Sequence, residues 1–159
     1  MYKLPRMNQE ELLEVLRTQV LCRIAFNDDH HPYIAPFQYL FLNNILYFQF
    51  TNYGRKMRLL KRDNRVCVEV ESYTPDLSQY SFVVIRGKLN EVKGSDERNK
   101  VISHIAQTGQ AKFSPQFLAA HGLHADQTWT SYTADKPFLI LKLEEIVEMF
   151  GLKSPQHPS

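Results

Sequence analysis

The chain has 159 residues, 43% of them hydrophobic and 23% charged, which suits one soluble globular domain whose core needs no disulfide or metal staple. Its formal charge of +2 excludes a generally cationic nucleic-acid binder, and no run of about 18 apolar residues offers a membrane span. With no charged leader ahead of an apolar run, the chain is expected to be cytoplasmic.

In chain order, a helix is predicted over 8–18: Asn8 can cap it, Glu10 and Glu11 suit its first turn, and Leu12, Leu13, Val15 and Leu16 form its apolar stripe. A strand over 20–26 ends in the polar cluster "NDDHHP". The next, over 33–42, is apolar almost throughout, and its internal Pro36 places it at a sheet edge or a bulge. Asn43-Asn44 then turns the chain into a strand over 45–51. A basic helix follows at about 54–62, then strands over 65–72 and 80–92. A helix over 95–108 has Ser95 as its expected cap, a second helical piece lies near 114–123, and a last strand covers 138–151.

Six strands joined mostly by short turns favour an antiparallel barrel with flanking helices over a doubly wound sheet, since parallel strands need long crossovers. No repeat or linker divides the chain, so residues 1–152 read as one domain and 153–159, "KSPQHPS", as a disordered tail. Cys22 and Cys67 fall in apolar strand segments and read as buried reduced thiols.

The charge is unevenly spread: residues 55–65 hold six basic side chains against one acid, Asp63. The stretch "FTNYGRK" runs from a strand through Asn52-Tyr53-Gly54 into the basic helix, whose first N–H groups and dipole attract an anion. Thr51 and Asn52 add neutral donors, Arg55 a planar fork and Lys56 a compact charge. Residue types alone leave two readings open, a terminal-phosphate site and the solvated face of an amphipathic helix.

"HPYIAPF", "LYFQFTNYGRK" and "LLKRDNRVCVEVE" together resemble the pyridoxamine 5′-phosphate oxidase-like FMN-binding split barrels, nearest the nitroimidazole-resistance type. The matching motifs are Pro32-Tyr33-x-x-Pro36, Gly54-Arg55-Lys56 and Asn64-x-Val66-Cys67-x-Glu69-Val70, the last one residue shorter than usual. The resemblance covers residues 8–93. It implies a six-stranded split barrel, dimeric, with FMN at the interface of a homodimer. Arg55, Lys56, Thr51 and Asn52 would hold the phosphate, while Pro36, Phe37, Gln38, Phe48, Gln49 and Phe50 would line the ring. Trp129, the only tryptophan, is either a core residue or a packing partner for the ring of the other subunit.

The implied activity is that of a flavin-dependent oxidoreductase passing electrons from NAD(P)H or another reductant to a small acceptor. The alternatives are a flavin carrier or sensor without turnover, and a haem-binding split barrel with His121 or His124 as ligand. Relatives in the nitroimidazole branch often carry His at the place of Gln49, so this chain lacks an obvious proton donor there. The C-terminal Arg-x-His element of true vitamin B6 oxidases is absent, which argues against that activity. No metal site is expected, because the histidines lack carboxylates or Cys at ligand spacing.

Overall fold

The computed structural model describes residues 3–124 and 126–155. Helix α1 (Gln9–Thr18) opens with a complete capping box, in which Asn8 Oδ1 accepts from the Glu11 N–H and Glu11 accepts from the Asn8 N–H, both at 2.9 Å. There follow β1 (Leu21–Phe26), β2 (Tyr33–Gln38), β3 (Leu40–Leu42), β4 (Ile45–Phe50), α2 (Arg55–Arg62), β5 (Arg65–Tyr73) and β6 (Tyr80–Glu91). The chain continues through α3 (Ser95–Lys112), 3-10 segments at Pro115–His121 and Trp129–Ser131, and β7 (Leu139–Lys153).

All strands join one antiparallel sheet in the order β2-β1-β5-β6-β7-β4-β3. It curls until strands far apart in that order meet: the rings of Phe37 on β2 and Phe50 on β4 stack with centroids 4.6 Å apart. The architecture is therefore the expected mainly β, half-closed barrel, with seven strands rather than six. The seventh arises at Tyr39, where the stretch expected as one strand breaks. Tyr39 N–H donates to the Val20 carbonyl at 3.1 Å and its hydroxyl to the Leu16 carbonyl at 3.0 Å. These two bonds turn the chain out of the β1 ladder, so β2 lies at one edge of the sheet and β3 at the other. Pro36 sits on that first edge, where its missing donor costs nothing. Asn43 and Asn44 both have positive φ (52° and 61°), as the mirror-image hairpin turn requires.

Alternation along the strands builds two cores. Val66, Val68 and Val70 of β5 and Val83 and Ile85 of β6 fill the barrel interior, closed by Leu12, Val15 and Leu16 of α1 and by Met57, Leu59 and Leu60 of α2. On the other face of β4 and β7, Tyr47 and Ile140 pack with Val101, Ile102 and Ile105 of α3 and with Leu118, Trp129 and Tyr132. Arg98 ties this layer down, donating to the carbonyls of Ala134, Lys136 and Phe138 at 2.8–3.0 Å.

Three boundaries differ from expectation. Ser95 is the first residue of α3 rather than its cap; the cap position is Gly94, which offers no side chain. The piece near 114–123 is 3-10 rather than α, begun by Pro115 and stopped by left-handed Gly122 (φ 75°). Lys153, placed in the tail, is the last residue of β7 and pairs with Ser81. Ser154 N–H still reaches the Tyr80 carbonyl at 2.8 Å, while residues 156–159 lie outside the described residues.

Gly109 shows how tightly the second core is closed. A Cβ there would overlap the Trp129 ring atoms Cε3, Cδ2 and Cζ3. Gly109→Ala is therefore expected to destabilise the protein by about 3 kcal/mol, near the upper end for overpacking, as measured by urea unfolding. A variant of unchanged midpoint would refute this packing.

Candidate functional site

At the end of β4, where the curled sheet meets the 3-10 segment, lies a cavity of about 340 Å³. Pro36, Phe37 and Gln38 form one wall, Gln49, Phe50 and Thr51 the next, and Lys56 comes in from α2. Leu21, Phe117, Ala120 and His121 complete the lining. The rings of Phe37 and Phe50 stack on each other and belong to the barrel core, so these two residues border the cavity with little of their ring faces exposed. Two buried polar atoms of the lining residues, Gln38 Oε1 and His121 Nε2, have no hydrogen-bond partner. Such atoms normally find one in the native or ligand-bound state.

Seven of the eleven expected residues thus converge on one cavity. The other four do not border it. Phe48 is fully buried in the barrel core, edge-on to Phe37 at 6.3 Å. Asn52 instead borders a more open cleft of about 1080 Å³ beside α2, with Asp63, Asn64 and Lys88. Arg55 is engaged elsewhere: its Nη2 donates to Asp28 Oδ2 at 2.7 Å, and its guanidinium lies 4.5 Å over the Tyr33 ring. That contact holds the Asp28 carboxyl below the usual carboxylate range. Trp129 belongs to the second core, only 4% exposed, which selects the core reading.

Lys56 differs from its neighbour. Its Nζ lies 4.8 Å over the Phe37 ring, and among the described residues it has no carboxylate within salt-bridge distance. It stands in the first turn of α2, whose Gly54 cap (φ 91°) supplies no side-chain bond and whose first turn holds no acid. The cavity's cationic end is therefore Lys56, in a helix start whose backbone N–H groups no side chain caps. Thr51 Oγ1 donates to the Tyr53 carbonyl at 3.3 Å, bracing the loop that leads there.

His121 is the site residue that sequence reasoning considered only as a metal or haem ligand. Its Nδ1 lies 2.7 Å from Gln49 Oε1, so an imidazole does reach the place where Gln49 seemed to leave none. The only hint was indirect: a Gln where relatives carry His, and one His before a Gly far along the chain. The rings of Phe117, Trp129 and Tyr132 surround it at 5.4–5.5 Å. Burial in this apolar box pushes its pKa down to about 4. Among the described residues no group of three His, Cys, Asp or Glu side chains is placed to hold a metal ion, and no helix is long and apolar enough to cross a membrane.

The neutral His121 ties stability to pH. The unfolded chain takes a proton near pH 6.5, whereas the folded chain refuses it until about 4. Stability from this group is thus complete above 6.5 and falls by up to about 3 kcal/mol as pH drops to 4. Urea unfolding across that range should show the loss, and His121→Phe should flatten the slope. An unchanged slope in the variant would mean that His121 titrates normally.

Comparison with known proteins places this geometry. A family model described as pyridoxamine 5′-phosphate oxidase matches residues 8–131, while no curated protein matches. Among solved structures, an FAD-binding protein from Mesorhizobium loti has a TM-score of 0.69 at 18% identity, covering 97% of this chain and 100% of that one. A protein from Bacteroides thetaiotaomicron, named for a proposed role in 5-nitroimidazole antibiotic resistance, gives 0.61 at 18% identity, covering 97% and 92%. An FAD and haem binding protein from Mycobacterium smegmatis gives 0.68 at 16% identity, covering 96% and 74%. At these identities the structures show a shared fold, and with a family match over most of its length the chain belongs to the pyridoxamine 5′-phosphate oxidase family.

Proposed function

We propose that the cavity binds a flavin, FMN in particular, and that the protein is an FMN-dependent oxidoreductase working as a homodimer. The observation that carries this reading is the pairing of a cavity edged by two carboxamides, one with a buried unpartnered oxygen, with a cationic helix start that no side chain caps. Pro36 and Phe117 can pack on a planar ring, the carboxamides of Gln38 and Gln49 can meet its polar edge, and Lys56 with the first turn of α2 suits a terminal phosphate. Gln38 Oε1, buried without a partner, is the kind of atom that a bound N–H would satisfy. Solved structures of the same fold that bind FAD support the flavin class. A single phosphate-sized cationic end favours the mononucleotide.

The bound flavin would supply the redox chemistry, with NAD(P)H or another reductant as donor and a small acceptor as recipient. The chain's own residues bind and orient. Lys56 fixes one end, Gln38 and Gln49 fix the edge, and Phe117 with Ala120 roofs the cavity against water. A second copy of the chain would cover the remaining open side.

One observation favours a second reading, a flavin carrier or sensor without turnover. Among the described residues that line the cavity, the one imidazole, His121, is held neutral, so it does not exchange a proton near pH 7. Haem ligation gains no such support, since His121 Nε2 is enclosed by aromatic rings and His124 is exposed away from the cavity lining.

The first test is to add FMN, remove the excess by gel filtration and look for flavin absorbance with the protein. A colourless protein fraction would overturn the reading; bleaching by NADH would then separate reductase from carrier. Lys56→Ala should weaken FMN at least about tenfold while changing riboflavin affinity little, since only FMN carries the phosphate. Arg55→Ala should cost less, because Asp28 already holds that side chain. Equal losses for FMN and riboflavin would sink the phosphate assignment.

A further inference from the structure

The carboxamide of Gln49 meets His121 twice. Its Oε1 lies 2.7 Å from Nδ1, and its Nε2 donates to the backbone carbonyl of the same residue at 3.4 Å. The second contact settles which way the amide is turned, because a flipped amide would set its oxygen against that carbonyl oxygen. With Oε1 facing the ring, Nδ1 must carry the hydrogen and Nε2 the lone pair. Phe117, Trp129 and Tyr132 enclose the imidazole and fix its plane.

No carboxylate contributes to the titration of His121. The charged groups closest to its surroundings are cations: Lys56 borders the same cavity, and Arg98 acts on the neighbouring Tyr132. The ring is therefore neutral at ordinary pH. No other hydrogen bond among the described residues engages the Gln49 side chain, so its second amide hydrogen is left for whatever fills the cavity that Gln49 borders.

We propose that His121 is a positioning residue: held as the Nδ1–H tautomer, it takes the oxygen of Gln49 and makes that side chain present an N–H donor, selecting a planar heterocycle with a hydrogen-bond acceptor at its edge. A carboxamide free to rotate would offer either its oxygen or its hydrogens, and would discriminate poorly between acceptor and donor edges. His121 removes that freedom from a place 72 residues along the chain. This inference rests on the flavin reading for the identity of the ligand, but the tautomer belongs to the ligand-free chain.

Two measurements test it. Long-range nitrogen–proton NMR of the ligand-free protein at pH 7 should show His121 protonated at Nδ1 and not at Nε2. The opposite tautomer would overturn the proposal whether or not any flavin binds. FMN titration should then show a loss of about fivefold to tenfold in His121→Phe, which keeps the aromatic packing but removes the donor. His121→Asn, whose amide N–H stands close to where Nδ1–H stood, should recover affinity to within about twofold of the parent. Equal losses in both variants would reduce His121 to a packing residue and refute the positioning role. A parent protein that binds no FMN would sink the flavin reading, leaving the tautomer to decide this one.

Discussion

The structure depends on one strand, β4, being buried on both faces. Phe48 and Phe50 point into the barrel, while Tyr47 and Gln49 point into the helical layer. An apolar side chain satisfies either environment, but a polar one must bring a partner. Tyr47 donates to Glu97 of α3 at 2.8 Å, and Gln49 pairs with His121. Through these two bonds β4 holds both the start of α3 and the end of the 3-10 segment. The cavity is what remains where that strand runs out and the helical layer has not yet closed over it.

The fold was largely legible because its signals are local. Apolar segments bounded by polar turns marked the strands, Asn43-Asn44 marked the hairpin, and Asn8 with Glu11 marked the first helix start. Tyr39 was not legible: it lies in a run apolar almost throughout, and only its bonds to Val20 and Leu16 show that the run is two strands. The candidate site was readable to the extent that it lies on β2, β4 and the turn into α2, which are close in sequence. His121 escaped because its meaning comes from a contact between distant segments, which no periodicity or spacing encodes. Phe48 and Trp129 were misplaced for the converse reason, since aromatic residues look alike in sequence whether they line a slot or fill a core.

Arg55 and Lys56 illustrate how little residue type says about availability. The two are neighbours with the same charge, yet successive residues of a helix point about 100° apart. One meets Asp28 and Tyr33 at the outer end of β1 and β2, and the other meets Phe37 at the cavity. Arg62 also reaches Asp28 and Asp29, so two of the five basic side chains of α2 are paired with that turn. Two arginines of the basic run thus fasten α2 to the β1–β2 turn, while one lysine of that run borders the cavity.

The position of β7 has a consequence for how the chain reaches this state. Although it follows every other strand in sequence, it is an interior member of the sheet, pairing with β6 on one side and β4 on the other. Until it arrives, the β3–β4 hairpin has no ladder to join, and the aromatic residues of β4 have only half their cover. Gln49 must wait for Ile140, its register partner, to emerge from the ribosome. Such late, long-range closure slows folding and leaves a sticky hairpin edge during synthesis. The nascent chain is therefore most exposed to aggregation just before its final strand is made, when a chaperone would have most to shield.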